Sequence, residues 1–189
     1  MLKKEARTIY RKKRLDLPAI ERVKLDDLVL IQFQKINVPF VSLMLSFYPV
    51  PQHNEIDTFP VTRYMQFQNP GMQVAYPKTD ISTSTIKAIV CDEDDAFECN
   101  AYNIPEPVSS QAVHPSEIDL VLLPLLAFDQ QGYRVGYGKG FYDRFLQHCR
   151  KDCVKVGLSY FDAVPSIEDA NEFDVPLDYC ITPQKVYVF

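Results

Sequence analysis

Gly132-Tyr133-Arg134-Val135-Gly136-Tyr137-Gly138-Lys139-Gly140-Phe141-Tyr142-Asp143 is the stretch on which the reading of this chain turns. The 189-residue sequence holds 6 glycines, and four of them, Gly132, Gly136, Gly138 and Gly140, fall within nine positions. Glycine permits positive φ and lets another group come close to the backbone. Apolar Leu120 to Phe128 precedes the stretch and reads as a strand. Phe141, Phe145, Leu146 and Cys149 follow it at helical spacing. A strand, a glycine-rich loop bearing Arg134 and Lys139, and a helix N-terminus form an anion site, because free N–H groups and the helix dipole favour phosphate there. A Walker loop would need glycine at 133 and Ser or Thr at 140, where Tyr133 and Gly140 stand, and the G-x-G-x-G spacing is not the dinucleotide fingerprint either. The residues alone leave a turn-rich connection with two solvated cations as the alternative.

Around this stretch the sequence predicts alternating elements. Lys3 to Leu15, free of Pro and Gly, reads as a helix, with Arg7, Arg11 and Arg14 sharing one face with Lys3 and Lys4. A second helix is expected from Pro18 to about Ile36 and a third from Glu55 to about Gln68. Strands are expected at Val41 to Tyr48, Gln73 to Tyr76, Ile86 to Cys91, Asp119 to Phe128, Val154 to Tyr160, Asp178 to Thr182 and Lys185 to Phe189. An acidic turn falls at residues 92–95, and residues 100–111 read as an irregular, proline-bearing loop. The pattern argues a single α/β domain spanning 1–189, with a largely parallel central sheet flanked by helices. Ligands in such sheets collect at the carboxyl ends of the strands, and three polar loops, at 49–55, 76–78 and 129–140, are expected there.

Composition narrows the function. Residues 1–14 carry seven cations against Glu5 alone, a balance of +6; the chain's net −5 then leaves −11 for the rest. That overall sign argues against nucleic-acid binding, although the basic start alone reads as an RNA-binding arm, a solvated helix face, or a hand folded over a phosphorylated ligand. The longest apolar run is too short to span a bilayer, and no signal-peptide core is visible. The 5 cysteines are scattered; Cys149 and Cys153 lie one helical turn apart with no histidine to complete a zinc set, so the reading is free thiols in a reducing cytoplasm.

Leu123-Pro124, Phe128-Asp129 and the glycine stretch through Asp143 together resemble the signature of the 5-formyltetrahydrofolate cyclo-ligase family. Asn54-Glu55-Ile56-Asp57-Thr58, Tyr76-Pro77-Lys78, Asn103-Ile104-Pro105-Glu106-Pro107 and Phe173-Asp174-Val175-Pro176-Leu177-Asp178 fall in the order of that family's further marks. The resemblance implies ATP-dependent conversion of 5-formyltetrahydrofolate to 5,10-methenyltetrahydrofolate with ADP, phosphate and magnesium. The formyl oxygen would take the γ-phosphoryl group, N10 would attack the activated carbon, and phosphate would leave. It implies Lys3 and Arg7 on the ATP phosphates and Lys78 near the nucleotide. It implies ATP contacts from a phosphate loop of Arg134, Gly136, Tyr137, Gly138, Lys139 and Gly140 with Phe141 and Tyr142, of which Arg134, Lys139 and Tyr142 would be catalytic. Tyr137 occupies a position that is arginine in some relatives. Glu55, Tyr102, Tyr137 and Tyr142 would meet the folate, and Asp143 and Asp174 the magnesium ion. His53, His114 and His148 match no catalytic position; His53, near Glu55, reads as a surface loop histidine, with a place lining the pocket as the alternative. A non-catalytic binding paralogue is the rival, disfavoured because Glu55, Arg134, Lys139, Asp143 and Asp174 are all present. The expected state is a monomer or weak homodimer, with a small-molecule substrate and neither nucleic acid nor membrane as partner.

Overall fold

A computed structural model describes residues 1–92 and 94–189; Glu93, inside the acidic turn expected at 92–95, lies outside the described residues. An eight-stranded sheet runs in the order β12-β11-β10-β7-β1-β2-β3-β6. Its parallel centre is β1 (Leu43–Leu45), β2 (Gln73–Asp80), β7 (Leu120–Leu123), β10 (Val154–Leu158) and β11 (Tyr179–Ile181). Antiparallel strands close both sides: β3 (Thr85–Cys91) and β6 (Ala112–Val113) at one, β12 (Val186–Val188) at the other.

Side-chain alternation divides the core. Met44, Val74, Leu120, Leu122 and Val156 face α2 (Ala19–Phe33) and α3 (Phe59–Gln68), meeting Val29, Phe33, Val61 and Met65. Leu43, Leu45, Ala75, Val121 and Leu123 point the other way, toward Phe145 and Leu146 of α4 (Phe141–Leu146). Being buried on both faces explains why the central strands are apolar throughout rather than alternating. The helix α1 (Lys3–Leu15) packs Ala6 and Tyr10 on a hairpin of β8 (Ala127–Phe128) and β9 (Arg134–Val135).

Several boundaries differ from the sequence expectation, each with a local cause. The strand expected across 119–128 breaks at Pro124, which has no N–H to give a ladder, and the chain turns into β8 instead. Asp129 then builds the β8–β9 turn: its Oδ1 accepts from the backbone N–H of Gln131 (2.9 Å) and Tyr133 (3.0 Å), and its Oδ2 from Ile167 N–H (2.9 Å). Strand β2 runs through Pro77 to Asp80, because β1 pairs with it only as far as Ala75 and the missing N–H costs no bond to β1. The third helix starts at Phe59, not Glu55, with Pro60 in its first turn and Thr58 tied by its hydroxyl to Phe47 O (2.7 Å). The loop expected across 100–111 contains Pro105–Pro107, β5, paired with β4 (Phe97–Cys99).

Asp26 on α2 is held under the sheet by Tyr160, whose hydroxyl donates to its Oδ1 (2.7 Å), and by Asp57 N–H (3.3 Å). Burial pushes its pKa up to about 6, against the opposing pull of the Tyr160 hydrogen bond. A carboxyl whose folded pKa is raised favours the fold while it is protonated, and that contribution is lost as pH climbs from about 4 to about 6. Asp26→Asn keeps an acceptor for Tyr160. It is expected to match the wild type at pH 4 and to exceed it by on the order of 1 kcal/mol at pH 7.5, the group being only partly shielded from water. Urea unfolding at the two pH values checks this; an equal stability difference at both would refute it.

Candidate active site

At the carboxyl ends of β1, β2 and β7 lies a cleft of about 510 Å³. The β8–β9 hairpin, α1, the 46–58 loop and the β4–β5 hairpin wall it, with Phe47, Pro77, Pro124 and Pro105 as its apolar lining. One end is cationic. Lys3 and Arg7, one turn apart on α1, face Arg134, Gly136, Gly138 and Lys139 across it. Gly138 has φ +91°, a conformation rare for other residues, and a Cβ there would stand 3.1 Å from Cζ of Arg7. Arg7 Nε donates to Gly136 O (3.0 Å), so the helix and the loop are joined where the glycines allow close approach. Gly140, with φ +68°, precedes α4, whose first turn receives no side-chain cap.

The four cations differ in what they already hold. Lys3 Nζ sits 2.5 Å from Asp174 Oδ2. The guanidinium of Arg134 is buried, with Nη2 2.7 Å from Asp143 Oδ1 and Nη1 donating to Val175 O at 2.5 Å. Burial pulls its pKa down while Asp143 opposes that. Arg7 and Lys139 have no acidic partner among the described residues; Lys139 Nζ lies 5.9 Å from the ring centroid of Tyr102. The charge open to an incoming anion is therefore concentrated on Arg7 and Lys139. Arg144, which sequence reasoning passed over, ties the loop down: Nη2 donates to Lys139 O and Nε to Ser84 O, both at 2.8 Å.

The other end carries buried carboxylates. Glu55 stands in the loop before α3; its Oε2 accepts from Val50 N–H (2.9 Å) and its Oε1 from the Tyr137 hydroxyl. Arg14 donates in turn to that hydroxyl through Nη2, and its Nη1 donates to Leu125 O (3.2 Å). Tyr137 thus turns its hydroxyl toward Glu55, and the cation of its neighbourhood comes from Arg14 on α1. Desolvation, then Glu55, pushes the Tyr137 pKa up. Tyr142 is likewise pushed up by burial and then by Glu55, so its phenol is neutral near pH 7 and is a hydrogen-bond donor. His53 lies over Tyr137, ring centroids 5.2 Å apart, and burial lowers its pKa. It lines the cleft, where the sequence suggested a surface loop position; its nearness to Glu55 in sequence was the available signal. Glu106, 8 % exposed, also lines the cleft and accepts from Thr79 N–H (2.8 Å) and Asn100 Nδ2 (2.7 Å). Nothing in the sequence separated it from the motif around it.

The structure brings together Lys3, Arg7, Glu55, Tyr102, Arg134, Gly136, Tyr137, Gly138, Lys139, Gly140, Phe141, Tyr142, Asp143 and Asp174. Lys78 is the exception. It follows Pro77 on β2, so the pleat turns it to the opposite side, where Nζ donates to Val108 O (3.4 Å) and Ser109 O (3.3 Å). Lys78, expected near the nucleotide, is therefore not among the residues that line the cleft. On the ATP-dependent activity that the resemblance implies, Lys78→Ala is expected to leave the KM for ATP within about twofold of wild type, the range of a surface substitution; a tenfold rise in steady-state assays would put the residue in the site. Arg14, expected on a shared basic face, is instead 5 % exposed beneath the cleft, whereas Arg11 and Lys4 remain exposed.

The sheet and cleft define an α/β protein whose ligand site joins a cationic glycine loop to buried carboxylates. The family model of the 5-formyltetrahydrofolate cyclo-ligase family matches residues 41–183. The 5-formyltetrahydrofolate cyclo-ligases of Mycoplasma pneumoniae and Haemophilus influenzae are each 30% identical to the chain. The match covers 91% of it and 93% of the first relative, and 93% of it and 94% of the second. The solution structure of Aquifex aeolicus 5,10-methenyltetrahydrofolate synthetase superposes with a TM-score of 0.76 at 28% identity, over 100% of this chain and 93% of that one. The Mycoplasma pneumoniae 5,10-methenyltetrahydrofolate synthetase gives 0.74 at 26% identity, over 97% and 99%. The chain belongs to the 5-formyltetrahydrofolate cyclo-ligase family.

Proposed function

We propose that this chain is an ATP-dependent enzyme that cyclises 5-formyltetrahydrofolate to 5,10-methenyltetrahydrofolate, releasing ADP and phosphate. The observation that carries the reading is the two-ended cleft: Arg7 and Lys139 at a glycine-lined end, and Glu55 at the other, within one cavity of about 510 Å³. A formamide oxygen is a poor leaving group, and phosphorylation converts it into a good one. Phosphoryl transfer asks chiefly for positioning and charge neutralisation. Arg7 and Lys139 neutralise the triphosphate, and the N–H groups of the loop and of the uncapped start of α4 orient it. Glu55 accepts from pterin N–H groups, a charge-assisted pairing. Neutral Tyr142 donates to the formyl oxygen and holds it toward the γ-phosphorus. After transfer, N10 attacks the formyl carbon, the C–O bond to the phosphorylated oxygen breaks, and the N10 proton leaves with the phosphate or to solvent. Tyr102 offers a ring for the folate to stack on.

Magnesium fits the donor set. Among the described residues no group of three or more His, Cys, Asp or Glu could hold a metal by itself, but Mg²⁺ ordinarily takes one or two carboxylates together with phosphates and waters. Asp143 gives only Oδ1 to Arg134 and Val175 N–H, and Asp174 only Oδ2 to Lys3 and Asn171 N–H. Each thus keeps one carboxylate oxygen with no hydrogen-bond partner among the described residues, and both residues line the cleft. Asp143 and Asp174 would hold the ion, which would supply positive charge to offset that of the phosphates. Asp143→Asn is expected to raise the magnesium concentration for half-maximal rate several-fold and to lower the melting temperature, since Arg134 loses its buried counter-charge. Superimposable magnesium titrations would count against this ligand.

The deciding assay mixes purified protein, 5-formyltetrahydrofolate and Mg-ATP and follows the near-ultraviolet absorbance of the methenyl product, with ATP omitted as control. No product in the complete mixture would refute the reading. Among the described residues no helix is long and apolar enough to cross a membrane, and the reading places the enzyme in the cytoplasm as a monomer or weak homodimer.

A further inference from the structure

Tyr137 is a member of the glycine loop by its backbone and of the carboxylate end by its side chain. Its neighbours Gly136 and Gly138 touch Arg7: Gly136 O accepts from Arg7 Nε, and Gly138 leaves the space that guanidinium occupies. Its hydroxyl donates to Glu55 Oε1 and accepts from Arg14 Nη2. Arg14 lies on the same helix as Arg7, seven residues on, and is nearly enclosed; its Nε is buried without a partner. A buried cation so placed is costly unless something fixes its orientation, and here that is Leu125 O, Tyr137 and, at 3.9 Å, Glu55. Asn54 Nδ2 donates to Arg14 O (3.2 Å) and Leu15 O (3.3 Å), locking the loop that carries Glu55 to the end of α1.

On the reading that the cleft takes ATP at one end and the folate at the other, we infer that Arg14 and Tyr137 are positioning residues that make the two ligands bind cooperatively. Residues 137–139 are exposed and flanked by glycine, so ordering this loop carries an entropy cost. A triphosphate seated on the loop meets that cost. It fixes Tyr137, and through it the carboxylate that receives the pterin, so the folate then binds an already ordered partner. The same factor must act in reverse, folate tightening the nucleotide. Tyr137→Phe removes the oxygen that joins loop to carboxylate. Arg14→Lys keeps the charge and loses the forked reach to Leu125 O and Tyr137 together.

Calorimetric titration of 5-formyltetrahydrofolate, with and without Mg²⁺ and the β,γ-imido analogue of ATP, tests this. In the wild type the analogue is expected to lower the folate Kd by about fivefold or more, and folate to lower the analogue's Kd by the same factor. In Tyr137→Phe and in Arg14→Lys the factor is expected to fall below about twofold. A purely structural role would weaken each ligand or the melting temperature and leave the ratio intact. A wild-type ratio in both folded variants, or no ratio in the wild type, overturns the inference. Methenyl product without coupling sinks this inference alone; absence of folate binding and of product sinks the cyclo-ligase reading with it.

Discussion

Lys139→Ala is expected to cut kcat/KM for ATP by about 10²- to 10³-fold, the usual loss when one preorganised charge donor is removed from a developing anion. The reason lies in the pairing of the cations. Lys3 and Arg134 are already committed to Asp174 and Asp143, so deleting either disturbs the scaffold as well as the charge. Lys139 is exposed and lines the cleft with no ion pair among the described residues, so its removal leaves no buried group stranded. The melting temperature should accordingly stay within about 2 °C of wild type. Arg7→Ala should lose a similar factor and loosen the loop besides, because Gly136 O loses its donor. Steady-state ATP kinetics beside a thermal melt separate the two effects; wild-type ATP kinetics in Lys139→Ala would remove the residue from the mechanism.

Glu55→Gln is expected to lower kcat/KM for 5-formyltetrahydrofolate by about 10²-fold, with a smaller effect on ATP. Two charge-assisted hydrogen bonds to a pterin are worth about 1.5–3 kcal/mol each, and an amide presents one acceptor and one mismatched donor in their place. The fold pays as well. Glutamine can accept from Val50 N–H and donate to the Tyr137 oxygen, yet Arg14 is left with no counter-charge nearby. A loss of about 2 kcal/mol, or roughly 4–8 °C in melting temperature, follows. Restored stability without restored turnover in Glu55→Gln combined with Arg14→Met would separate the two roles. Normal folate kinetics in Glu55→Gln alone would place folate recognition elsewhere, with Glu106 the next carboxylate in the cleft.

The sheet was legible because its central strands are apolar runs between helices, and the glycine loop was legible because four of six glycines sit in it. Ends of elements were harder. Pro124 and Pro77 are the same residue type, yet one stops a strand and the other rides through it, and the difference is whether a neighbour strand pairs there. That is settled by tertiary structure. The side that Lys78 takes was not legible for a similar reason, since the motif gives its position but the pleat decides where it points. Arg14 was hidden by helical arithmetic: the i, i+4, i+7 pattern grouped it with exposed Arg11, while the stripe that docks is Ala6, Tyr10 and Arg14. What distinguishes Arg14 is its partner Tyr137, 123 residues further on.

The pair Lys3–Asp174 stitches the first helix to a segment near the far end of the chain, and Arg134, paired with Asp143, is held to the same segment by Val175 O. A nascent polypeptide still lacking its last two dozen or so residues therefore leaves Lys3 without Asp174 and Arg134 without Val175 O. On the reading that the cleft takes ATP, ribosome-bound intermediates should gain no stability from the nucleotide until those residues have emerged and docked.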